Sequence, residues 1–217
     1  MTETLTDERP DAGRSEVPAE SDPASEPRVE PVADPGTSGD GPSEARSEPP
    51  PPILTCRDLP AGSLARLLAP FGLEVRGVAE GAPIPGSYWG APEAGIRGTT
   101  LFVRPDTPVH SALHEACHLL CADPSRRAEI DTDAGGSDQE EDAVCYLQIV
   151  LAGHLPGASA DRLTADMDAW GYSFRLGSTR AWFDRDAADA RAWLTAHGLL
   201  TKAGAPTWRP RGARRNS

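Results

Sequence analysis

Residues 109–121 read VHSALHEACHLLC, and inside them His114-Glu115-Ala116-Cys117-His118 forms an H-E-x-x-H pattern. On an α-helix, side chains four apart share one face, so His114 and His118 can grip one metal ion together. Glu115 then sits beside that ion, where a carboxylate can act on a water molecule. Thr107-Pro108 offers an N-cap residue and a first-turn proline, and Asp123-Pro124 a stop, so the expected helix runs to Leu120 or Cys121.

Two helical histidines supply half of a four-coordinate site, so a third protein ligand is needed. The H-E-x-x-H-x-x-G-x-x-H extension is absent: its glycine and last histidine would fall on Cys121 and Pro124. The other common solution is a glutamate on a following helix. Glu140, Glu141 and Asp142 open an apolar stretch that continues to Leu151. Glu140 is the preferred ligand, because Ala143, Val144 and Leu147 then follow on its face, and a small residue at 143 lets the helices approach. Turning Glu141 inward would bring Val144, Cys145 and Gln148 with it, placing an amide in the packing face. Acids at a helix N-terminus also favour the dipole without binding anything.

These residues resemble the glutamate-type zincins, and most of all the ImmA/IrrE-like metallopeptidases. In those, a helical H-E-x-x-H precedes a second helix beginning E-x-x-A-x-x-F-A. The matching residues here are Glu140, Ala143, Tyr146 and Leu147, with Val144 where the motif usually has Asn. The resemblance covers roughly Thr99 to Pro156. It implies a small α+β zincin-like domain, built from an active-site helix, a following glutamate helix and a short mixed sheet, with Thr99–Arg104 as the edge strand lining the cleft. It also implies one Zn²⁺ per chain on His114, His118 and Glu140, and a peptidase that cuts a protein or peptide substrate with Glu115 as general base. The oxyanion needs a further donor, for which His110, Tyr88, Tyr146, Tyr172 and Arg175 are candidates. Asp166 or Asp168 is a candidate to orient a ligand histidine.

The remaining chain sets the frame. Its 217 residues carry a net charge of −12, unevenly spread. Residues 1–52 are Pro, Glu, Asp, Ser and Ala without one aromatic, a composition expected to stay disordered because it buries too little apolar surface. Residues 53–205 hold the expected domain, and 206–217 a basic end expected to fray. A helix is expected over Leu59–Ala69, strands over Leu73–Val78 and Thr99–Arg104, and helices over Ala160–Trp170 and Thr179–His197. Gly81–Gly98 and Ser125–Gln139 read as loops. The acidity argues against nucleic acid, no apolar run reaches membrane-spanning length, and no leader is evident. Four cysteines are too few for a disulfide scaffold, which fits a cytoplasmic protein.

Competing readings attach to the same residues. A zincin fold can serve as a binding or regulatory module without turnover. Cys121 can complete a closed structural zinc site. The acidic residues Asp131, Asp133 and Asp142 faintly match a calcium loop, but the fifth loop position lacks an oxygen side chain. Tyr88 and Trp89 can clamp a substrate or cover the core.

Overall fold

The computed structural model describes residues 52–132 and 134–213. The tail read over residues 1–52 lies outside them up to residue 51, as do Asp133 and residues 214–217. The described chain is α+β, with seven α-helices and one three-stranded mixed sheet. Among these residues no helix is long and apolar enough to cross a membrane.

The expected long helix is α2, Val109–Cys121 in the molecule's own numbering of helices, after the short α1 at Ser63–Leu68. Every residue of α2 except His114 is buried. A helix buried on all sides must be wrapped by other elements, which excludes a solvated surface helix. Its entry differs in detail from the expectation. Pro108 takes the N-cap position, and Thr107 instead accepts the Arg104 N–H on its hydroxyl at 2.9 Å.

The sheet lies against α2 and is ordered β1-β3-β2. β1 (Glu74–Gly77) pairs parallel with β3 (Thr100–Val103), and β2 (Gly95–Arg97) pairs antiparallel with β3. Leu101 and Val103 are the buried alternate positions of β3, and Ile96 of β2 sits opposite Leu101. Gly98, at φ 55°, opens the two-residue turn between β2 and β3, a position where a left-handed glycine matches the twist of the strands. The segment expected to be the edge strand is therefore the central one. The edges are β1 and the short β2, which lay hidden in the Gly- and Pro-rich stretch. Residues 130–132 partly cover the β2 edge, with the Thr132 N–H donating to the Ile96 carbonyl at 3.1 Å.

Beyond α2 come α3 (Pro124–Glu129), α4 (Asp138–Ala152), α5 (Ala160–Trp170), α6 (Thr179–Arg185) and α7 (Ala188–Ala196). Asp123 caps α3 by accepting from the N–H groups of Ser125 and Arg126, so the stop signal for α2 is also a start signal. Ser137, Ser159 and Ser178 cap α4, α5 and α6 in the same way. Helix α4 packs along α2, and Leu113, Leu120, Leu147 and Leu151 of the two helices are among the fully buried side chains.

The C-terminal segment does not fray at residue 206. The Arg211 N–H donates to the Leu120 carbonyl at 2.9 Å, and its guanidinium lies 3.2 Å from the Cys121 carbonyl and 5.2 Å from the centre of the Trp193 ring. Trp208 packs on Phe71 with ring centres 5.7 Å apart. Arg211→Ala removes the guanidinium contacts at the end of α2, and is expected to lower stability by about 1–2 kcal/mol. Urea unfolding would show it as a lower midpoint with an unchanged slope, whereas an unchanged midpoint would mean the segment is not docked.

Candidate metal centre

Two adjacent turns of α2 carry His114 and His118, and their Nε2 atoms lie 3.1 Å apart. Two nitrogens about 2.05 Å from one tetrahedral ion would be separated by roughly 3.3 Å. Burial, and next the neighbouring His118 ring, pull the His114 imidazole down to about 4 from its ordinary range. That ring is therefore neutral at physiological pH, the form a metal requires.

The third member comes from the first turns of α4, and it is Glu141. Its Oε2 lies 3.6 Å from His118 Nε2, and one donor atom from each of His114, His118 and Glu141 falls within 4.8 Å of the others. These three can hold a metal ion. The other carboxylate oxygen of Glu141 accepts the Gly136 N–H at 3.2 Å, which aims the group toward the histidines.

Glu140, the preferred ligand by sequence, faces away. It is buried, and its carboxylate is ion-paired to Arg126 and lies 3.5 Å from Arg211. Two guanidiniums compensate the desolvation that a lone carboxylate could not bear. The face argument failed because α4 is buried nearly all round, so Val144, Cys145 and Gln148 are as enclosed as Ala143 and Leu147. Gln148 was the objection to Glu141, and it is fully buried one turn pair further along, beside His114 and Tyr172. Its amide N–H donates to Met167 Sδ on α5 at 2.9 Å, so an amide is accommodated on that face.

Glu115 shares a cleft of about 310 Å³ with His114, His118 and Glu141. Tyr88, Trp89, Thr132, Ala134 and Gly135 complete its lining. Cys121 stands outside the cluster, among Glu140, Arg211 and Arg126, and burial pushes its thiol well up. A closed structural site through Cys121 therefore finds no support. Asp131 is ion-paired with Arg97 at 3.2 Å.

Of the proposed oxyanion donors, two remain near the cleft. The Tyr172 ring is centred 5.9 Å from that of His114, with burial raising its phenol, and Tyr88 is in the cleft wall. His110 is buried against Trp170 and Tyr172, with ring centres 5.0 and 5.6 Å away. Tyr146 stacks on Phe183, and Arg175 is ion-paired with Asp186. Neither aspartate proposed to orient a histidine does so: Asp166 accepts from Leu54 and Arg162, and Asp168 from Thr179. Gly136 and Gln148 were missed as supports. The first had a signal in Gly135-Gly136 just before a serine cap, and the second as a lone amide in an apolar run.

No family model matches the chain, and neither a curated protein nor a solved structure matches it.

Proposed function

We propose that this chain is a zinc-dependent metallopeptidase of zincin-like fold, with His114, His118 and Glu141 as ligands and Glu115 as general base. The observation that carries the reading is the convergence of two Nε2 atoms 3.1 Å apart with the Glu141 carboxylate, in a cleft that also holds Glu115. Three protein donors facing a cleft leave a coordination position open, the arrangement of catalytic rather than structural zinc. A bound Zn²⁺ would supply Lewis acidity, making a water acidic enough to give hydroxide near neutral pH and polarising a peptide carbonyl.

The chain's own groups do the rest. Glu115 accepts the proton of the attacking water and delivers it to the departing amine. Gly136 holds Glu141 in its ligand orientation through the backbone N–H. The Tyr172 ring, centred 5.9 Å from that of His114, carries a phenol that can donate to an oxyanion. The substrate is a protein or peptide, and the four free thiols suit a reducing cytoplasm.

The test is metal content of the full chain, purified without chelators and assayed on a quenched fluorescent peptide library. One zinc per chain is expected, with hydrolysis abolished by phenanthroline and restored by zinc. His114→Ala should lose both metal and activity. A wild-type chain that takes up no divalent metal on titration would end the proposal.

A further inference from the structure

The cleft carries a second feature that metal chemistry does not require. Among the described residues the exposed large apolar side chains are Tyr88, Trp89, Trp170 and Leu176, and the two most exposed, Trp89 at 75% and Tyr88 at 59%, both line this cleft. Leaving two aromatic rings in water forfeits burial energy, and such patches mark binding surfaces.

Resting on the metallopeptidase reading, we propose that Tyr88 and Trp89 form a wall that receives an aromatic side chain of the substrate beside the bond that is cut. Three further observations fit that occupant. The two rings meet edge to face, with centres 5.0 Å apart at 83°, so each fixes the other and a third ring can join the same packing. Ala134 and Gly135 also line the cleft, and neither carries a side chain larger than a methyl group, which leaves room for a planar group. The charged side chains in the cleft wall are Glu115 and Glu141, with no lysine or arginine among its lining residues, so an acidic side chain is disfavoured there.

The wall is also held in place. Its loop is tied to β2 by the Ile96 N–H, which donates to the Gly86 carbonyl at 3.1 Å. Gly86, at φ 71°, approaches so closely that an added Cβ would lie 2.2 Å from the Ile96 oxygen. Rings exposed on an anchored segment need little ordering on binding, which preserves affinity for the occupant.

The experiment uses the full chain and three hydroxamates, of phenylalanine, arginine and glycine, which share the metal-binding group and differ in side chain. Calorimetry should show the phenylalanine compound binding at least tenfold tighter than the glycine one. In Trp89→Ala, still holding its zinc, the ratio should fall to within about threefold, and Trp89→Phe should restore part of it. An unchanged ratio in Trp89→Ala, or a preference for arginine over phenylalanine, would overturn the aromatic wall. Zinc bound without side-chain discrimination would overturn the wall while the peptidase reading stands. A chain that binds neither zinc nor any hydroxamate would remove both.

Discussion

Glu115→Gln is expected to keep its zinc and lose peptide hydrolysis by about 10²–10⁴-fold, the range general acid–base catalysis contributes. The substitution preserves shape and removes the one property the reading needs, a carboxylate that can take a proton. Glu115 sits in the cleft wall next in sequence to His114, but it is not one of the three metal-competent donors. Metal stoichiometry should therefore stay at one per chain, and the thermal midpoint should shift little. Glu115→Asp, which withdraws the carboxylate by one methylene, should fall between the two. The informative contrast is with His114→Ala, where metal and activity should vanish together. Equal activity in Glu115→Gln and the wild type would mean that a different group handles the proton, or that the hydrolysis belongs to a contaminant.

Much of this arrangement was legible in the chain. The i, i+4 histidines and the apolar residues around them announce a buried helix, and α2 is one. Strand β1 showed as an alternating run and β3 as a short run of strand-forming residues. What was not legible depends on contacts between distant residues. Strand β2 spans only Gly95–Arg97, too short for alternation to register, and exists because β3 pairs with it. Asp123-Pro124 was read only as an end, although the aspartate also caps the following α3. The run over 179–197 holds no glycine or proline to mark the break between α6 and α7 near Asp186. The docked end of the chain turns on Arg211 finding the carbonyls of α2 about ninety residues earlier, which composition alone reads as a basic tail.

The choice between Glu140 and Glu141 is the sharpest case, and opposite outcomes are expected for the two. Glu141→Gln should weaken zinc binding by more than about 100-fold, beyond the 10–100-fold typical of outer-shell partners, because a ligand charge is lost. Its side chain is 38% exposed, so folding stability should move by no more than about 0.5 kcal/mol in the metal-free protein. Glu140→Gln should leave zinc affinity within about tenfold and instead cost about 2 kcal/mol of stability. That figure lies below the 3–5 kcal/mol for breaking a fully buried pair, because Arg126 and Arg211 keep 34% and 25% of their side-chain exposure and can be rehydrated. Zinc competition titration and urea unfolding of both variants would separate the two roles. Loss of zinc from Glu140→Gln with a tight site surviving in Glu141→Gln would mean that α4 presents the other carboxylate to the metal. The first turns of α4 place neighbouring carboxylates on two different tasks. One ties the helix to Arg126 and Arg211, and the other completes the histidine pair, so each substitution should reveal one function and spare the other.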